Sequence, residues 1–442
     1  MRIRPLPSCT SNRKSQHGSA ILIILTIIGI GAAFLLVSAL NKSNQQLERD
    51  KITTAALAQA KEALVGYAAS VDVSTSGPRP GDLPCPDTNN DGIAETSCGN
   101  ASGSTGQNLR LGRLPWKSLG LPDLQDGYGE RLWYAVSNNF KKNTRTGLLN
   151  SDTNGTITVR DSTGTIINNG TGSSAAIAVI IAPGSAFTRQ DGVNQVRDVA
   201  NANNPVNYLD ISNGEDNAAF VDSGTDGFIS GDVRDANNNI IVNDRILVIT
   251  YDNLMPILEQ RVAREVFYCL NNYAADPLNQ GRLPWAADMT ASAGGNYSDT
   301  TNTRFGRLPS TVSNTVTDSG SSPMKNGWTS SCKLNSGTWW NNWREVVFYA
   351  VADAYKPKPI PPLPSCGACL TVNPPSATAN KQFAVFMASR RLPGVSGGQP
   401  RVSNADKSTI TNYLEDQNAT PLDDVFTKKT PSATFNDYVL YP

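Results

Sequence analysis

Residues 19–40 read SAILIILTIIGIGAAFLLVSAL, a run without a single charged side chain. As a helix it measures about 33 Å, enough to cross the hydrocarbon layer once. Arg2, Arg4, Arg13 and Lys14 precede it, and basic residues on one flank keep that flank in the cytoplasm. The expectation is a single-pass inner-membrane protein with its C-terminal part in the periplasm. Residues 41–70 contain no proline, and Leu47, Ile52, Ala56, Ala60, Leu64 and Tyr67 recur at close to helical spacing. The spacing predicts one helix over residues 19–70, about 75 Å long, transmembrane in its first half and a stalk in its second.

Two readings of the leader compete. A cleavable secretory signal would be cut after the apolar run, and Val37-Ser38-Ala39-Leu40 offers small residues there. The other reading cuts before the run, after Gly18. A short basic leader, a glycine and then an apolar helix resembles the leader of type IV prepilins and type II secretion pseudopilins. The resemblance implies that Gly18 precedes the cut and that Ser19 becomes a methylated N-terminus. It also implies that a prepilin peptidase and other pilins or pseudopilins are partners. Ile21, Leu22, Ile23, Gly29, Gly31, Phe34 and Leu35 would then pack against equivalent helices, the glycines allowing close approach. Most major pilins carry Glu where this chain has Ile23, which points to a minor subunit at a filament tip.

The 442 residues leave room for two folded units beyond the anchor. Lys+Arg and Asp+Glu balance at 38 each, so no concentrated basic face for nucleic acid is expected, although a DNA-uptake filament stays open. Cutting after Gly18 removes Cys9 and leaves Cys85, Cys98, Cys269, Cys332, Cys366 and Cys369, an even set suited to an oxidising compartment. Fifteen pairings are possible. Local spacing favours Cys85 with Cys98 and Cys366 with Cys369, leaving Cys269 with Cys332.

The body reads as a duplication. Gly81-Asp82-Leu83-Pro84 is echoed by Gly281-Arg282-Leu283-Pro284, and Gly112-Arg113-Leu114-Pro115 by Gly306-Arg307-Leu308-Pro309. In the same order, Ala178-Val179-Ile180-Ile181-Ala182 matches Ala384-Val385-Phe386-Met387-Ala388, and Asn207-Tyr208-Leu209-Asp210 matches Asn412-Tyr413-Leu414-Glu415. Asn243-Asp244 is answered by Asn436-Asp437. Each copy predicts a helix followed by short strands, the second helix running over residues 254–274. The fold expected is α+β: the long N-terminal helix, then a duplicated pilin-like head in which a helix packs on an antiparallel sheet, with disulfide-stapled loops. Asp126-Gly127-Tyr128-Gly129 also looks like the segment that opens the pseudopilin sheet. The domains expected are 1–18 (leader), 19–70 (transmembrane and stalk helix), 71–253 (first head) and 254–442 (second head).

Little in the sequence points to catalysis. The one histidine is His17, so a leaderless chain has no Ser-His-Asp triad, Cys-His dyad or His-bound metal. Asp87, Asn89, Asp91 and Glu95, with Gly92 between, have the oxygen spacing of a calcium loop; an Asn-Asp-Gly turn closed by a disulfide reads equally well. Asp222, Asp226 and Asp232 form a looser acidic loop. Trp339, Trp340 and Trp343 are either an adhesive surface or core packing. The function expected is a minor pilin or pseudopilin that initiates, caps or decorates a type IV pilus or type II secretion filament, its head periplasmic or on a filament at the cell surface. The alternative is a single-span, membrane-anchored periplasmic binding or adhesion protein outside any filament.

Overall fold

A computed structural model describes residues 17–73, 77–99, 110–143, 145, 147–219, 227–313, 324–335, 338–357, 365–366, 369–373, 378–393 and 398–442. Within the first helix, side chains are described from Ser43 onward. The leader before His17, the side chains of Gly18, Ser19, Ile21, Leu22, Ile23, Gly29, Gly31, Phe34 and Leu35, and the acidic loop at Asp222 and Asp226 lie outside the described residues.

Helix α1 (His17–Ser70) leads into β1 (Leu111–Arg113), β2 (Trp133–Val136), β3 (Thr158–Arg160), β4 (Ile166–Asn168) and β5 (Ala178–Ala182). The short β6 (Ile211–Ser212) and β7 (Glu215–Asp216) follow, then β8 (Gly227–Ile229), β9 (Val233–Arg234), β10 (Ile240–Val242) and β11 (Arg245–Ile249). The second half repeats the plan: α2 (Tyr251–Ala275), α3 (Met289–Ala293), β12 (Phe305–Arg307), α4 (Trp340–Trp343), β13 (Val347–Val351), β14 (Leu370–Asn373), β15 (Thr378–Lys381), β16 (Phe383–Met387), α5 (Asn404–Ser408), β17 (Val425–Thr427) and β18 (Tyr438–Leu440). The antiparallel order β1-β2-β5-β11 recurs as β12-β13-β16-β18, and the small sheet β4-β3-β8 recurs as β15-β14-β17. In each small sheet the last pairing is parallel, β3 with β8 and β14 with β17.

The repeated motifs have mechanical roles. Gly81 and Gly281, at φ +99° and +82°, turn the chain off the helices so that their N–H groups donate to the Ala68 and Ala274 carbonyls. Leu83 and Leu283 are fully buried, and the Pro84 and Pro284 carbonyls accept from the hydroxyls of Tyr134 and Tyr349. Gly112 and Gly306 let a neighbouring segment close on β1 and β12: an added Cβ would lie 2.6 Å from the Asp87 carbonyl oxygen and 2.1 Å from that of Ala287. Strand pairing corrects one echo. Ala178 opposes Val136 as Phe383 opposes Val351, so β5 corresponds to residues 383–387, one residue earlier than the sequence match. A one-residue slip exchanges the two faces of a strand, and pairing, not identity, fixes which face is inside.

One core spans both halves. Ala56, Leu57, Ala60, Leu64 and Ala68 of α1, and Leu254, Leu258, Val262, Val266 and Leu270 of α2, bury their apolar faces in it together with the inner faces of both four-stranded sheets. Arg261 of α2 donates to the Ala69 and Val71 carbonyls at the end of α1. Disulfides join Cys85 to Cys98 and Cys366 to Cys369, the pairs that local spacing favours, and Cys269 to Cys332, the pair they leave.

Two expectations are corrected. Among the described residues no helix is long and apolar enough to cross a membrane, so the transmembrane span and the single-pass inner-membrane placement are not supported. The physical reason lies in the described part of α1. Glu48, Arg49, Asp50 and Lys51 are too many charges for a span, and from Thr53 onward the helix is built into the core. A stalk ahead of two simple helix-on-sheet heads is also not what forms. The body is mostly short strands, in six small sheets with five α-helices among the described residues. Its many Asn, Gly, Ser and Thr residues break the strands into short pieces, none longer than five residues among those described.

Candidate functional site

In each half, the loop before the last long strand is tied to that strand by the same set of side chains. Asp210 accepts from the backbone N–H groups of Asn243 and Asp244 and from the Gln195 amide. Asp244 in turn accepts from the Asp210 N–H and the Asn217 amide, both at 2.8 Å. In the second half, Glu415 accepts from the Asn436 N–H and the Gln399 amide, while Asp437 accepts from the Glu415 N–H and the Asn418 amide. Asn217 is further fixed by the N–H and carbonyl of Ile229, and Asn418 by those of Thr427. Four polar side chains thus replace backbone pairing where the chain has no regular strand.

Arginines complete both clasps. Arg197 donates to the Asn207 and Gly184 carbonyls and to Gln195, and Arg401 donates to the Asn412 and Ser389 carbonyls and to Gln399. The Tyr208 ring lies between Arg113 at 3.9 Å and Arg197 at 5.1 Å; Tyr413 lies between Arg401 at 4.4 Å and Arg307 at 4.9 Å. Such stacked cations hold an aromatic ring in one orientation. Burial pushes the Asp210 carboxyl up to about 6 and that of Asp244 well above the usual range, the charge of Asp210 adding to the second. Burial and the Glu415 charge raise Asp437 in the same way. These groups can position loops; within the clasps no nucleophile sits beside a base.

The region around the emerging helix differs between the halves. The loop at Asp126 is laid on α1: Gly127 donates to Thr53, a Cβ on Gly127 would meet the Arg49 carbonyl at 2.3 Å, and Arg49 stacks on Tyr128 at 4.7 Å. Asp126 also accepts from the Gly184 N–H, just past the end of β5. An ion pair of 2.8 Å joins Asp50 of α1 to Arg245 of β11 across a cleft of about 330 Å³. In the second half, the cleft walled by Pro256 of α2 and Tyr438 of β18, about 370 Å³, has more apolar walls. Both partners of the Asp50–Arg245 pair are about one-third exposed. Asp50→Ala is therefore expected to cost less than about 1 kcal/mol in chemical denaturation, the clasp of residues 126–128 holding the helix by itself.

The positions singled out from the sequence are distributed as follows. Asp87 accepts from the N–H groups of Asn89, Asn90 and Gly92, Asn89 from Asp91, Asp91 from Ile93, and Glu95 from Thr88. The loop's oxygens serve its own donors. Among the described residues no group of three or more His, Cys, Asp or Glu side chains is gathered to hold a metal ion. Trp339, Trp340 and Trp343 are all buried, which corrects the adhesive reading: they are core, with Trp339 donating to the Lys333 carbonyl and Trp340 to Ser310. Asp232 pairs with Arg234 at the surface. The clasp residues Gln195, Arg197, Gln399 and Arg401 are not among those positions, although Gln-x-Arg stands ahead of Asn-Tyr-Leu-Asp/Glu in both copies. That shared order, at separations that differ by one residue, is the signal that finds them.

No family model, no curated protein and no solved structure matches this chain.

Proposed function

We propose that this chain is a non-catalytic structural subunit of the type IV pilin or type II secretion pseudopilin kind, a minor one that initiates, caps or decorates a filament. The observation that carries the reading is the placement of α1. Among the side chains described, from Ser43 onward, the first buried one is Thr53, and from there the helix is built into the core of the head. The grip is rigid, because the loop at Asp126 closes on the helix at Gly127 with no room for a side chain. Such a hold fixes the direction in which the chain enters the head, as a subunit that packs against other subunits requires. The residues that lead into it, a basic segment, Gly18 and an uncharged run, support the same reading.

The supporting chemistry is that of a scaffold. Three disulfides and the two clasps fix loops, as expected of a protein that works where thiols are oxidised. N-terminal sequencing of the mature protein tests the proposal. The expected result is a chain that starts at a methylated Ser19, with residues 1–18 retained when the prepilin peptidase is removed. An intact Met1, or a start near Asn41, would contradict it.

A further inference from the structure

In both clasps one buried carboxylate oxygen is left without a donor among the described residues. Asp244 is fully buried and Asp437 is 3% exposed, and in each the Oδ2 atom takes two donors while the Oδ1 atom takes no donor among the described residues. The same atom is left over in two copies whose surrounding sequences differ, so the feature belongs to the design of the clasp. A second carboxylate is adjacent in each case. Asp210 accepts from the N–H of Asp244, and Glu415 accepts from the N–H of Asn436, next to Asp437. An ionised carboxylate oxygen that is buried, unpartnered and beside a like charge is among the costliest arrangements a fold can hold.

Burial outweighs the cations nearby: the Arg197 charge acts on Asp210 and Asp244 without keeping either low, and Lys428, which lines the cleft with Asp437, lies over the Tyr441 ring at 5.2 Å. In the first half, Arg197 pairs with Glu130 at 3.3 Å, and Arg189 pairs with Asp191 and Asp216 at 3.1 and 2.9 Å. In the second, Arg401 pairs with Asp152 at 3.0 Å, Arg390 with Asp252 at 3.3 Å and Lys429 with Asp416. Glu259 lies across Ser389, adding a further acid rather than a counter-charge. A neutral acid removes the cost without any new partner.

We propose that each half is closed by one retained proton: Asp244 with Asp210, and Asp437 with Glu415, form proton-sharing carboxyl pairs that latch the preceding loop to the last strand of the sheet. The chain thereby carries two matched proton sites, and losing the protons loosens both latches together. The sign follows from the raised carboxyls. A group raised in the folded state stabilises the fold below its unfolded value near pH 4, and that contribution is lost as pH climbs through its folded value. For the first pair the loss begins above about pH 4, where the unfolded carboxyls ionise, is complete for Asp210 near pH 6, and continues upward for as long as Asp244 keeps its proton.

Infrared spectroscopy of the full chain at about pH 7 reads the proton directly, since a carboxylic acid carbonyl absorbs apart from carboxylates. Asp299 and Glu259, also raised by burial, contribute equally to every sample. The expected result is an acid band that loses one part in Asp244→Asn, another in Asp437→Asn, and both in the double variant. The double variant should also show a flatter fall of the urea midpoint between about pH 5 and pH 8 than the parent. Should the first variants fail to fold, Asp210→Asn with Glu415→Gln remove the neighbouring charge of each pair, and the acid band should then vanish at a lower pH than in the parent. An acid band unchanged in size by the first pair of substitutions, or unchanged in its pH of loss by the second, would overturn the proposal.

Discussion

Arg401→Ala is expected to destabilise the chain by about 3–5 kcal/mol, the cost of breaking a buried, fully engaged ion pair. The Arg401 guanidinium is fully buried and serves five groups: the carbonyls of Asn412 and Ser389, the Gln399 amide oxygen, the Asp152 carboxylate and the Tyr413 ring. Removing it strands acceptors that water cannot reach and leaves Asp152 with only the half-exposed Arg391. Asp152 belongs to the first half of the chain, so the loss falls on the contact between the halves as well as on the second clasp. Arg401→Lys is expected to recover little, because an ammonium cannot span these positions as a planar fork does. Urea unfolding checks both: the midpoint should fall sharply, with the slope unchanged.

Gly306→Ala is expected to cost about 3 kcal/mol or more. An added methyl would lie 2.1 Å from the Ala287 carbonyl oxygen, and Ala287 and Arg307 exchange two backbone hydrogen bonds across this contact. The obstacle is backbone, so it cannot swing aside as a side chain end could. The contrast is Gly66→Ala in α1, where nothing lies within 4 Å of the added methyl. There the substitution should gain up to about 1 kcal/mol by improving helix propensity. Thermal or urea unfolding of the two variants should therefore move in opposite directions. A neutral Gly306→Ala would show that residues 285–287 do not close on β12 as described.

Much of the repeated architecture is legible in the sequence alone, and the reasons are specific. Gly-x-Leu-Pro and Gly-Arg-Leu-Pro recur because each residue has one local job: a turn, a close approach, a buried leucine, a carbonyl for a tyrosine. Local jobs leave local signatures. The clasps are half visible, as Asn-Tyr-Leu-Asp and Asn-Asp, but their members lie as far apart as Gln195 and Asp244 and meet only through the sheet. The tryptophans illustrate the limit of composition, since Trp339, Trp340 and Trp343 read equally as surface or core until burial is known. The charge-free run at 19–40 weighs most in the membrane expectation, whereas the described part of α1 is a polar segment that becomes a core helix. Periodicity finds that helix and cannot say what it packs on.

The proposed role as a minor filament subunit requires the chain to travel with a filament. Filaments purified from producing cells that carry a tagged copy of this chain, with the tag counted per filament by quantitative mass spectrometry, decide whether it does. The chain is expected in the filament fraction at far below one copy per major subunit, with cross-links from α1 to neighbouring subunit helices. Its absence from that fraction, with the chain recovered as a free protein, would contradict a role in filament assembly.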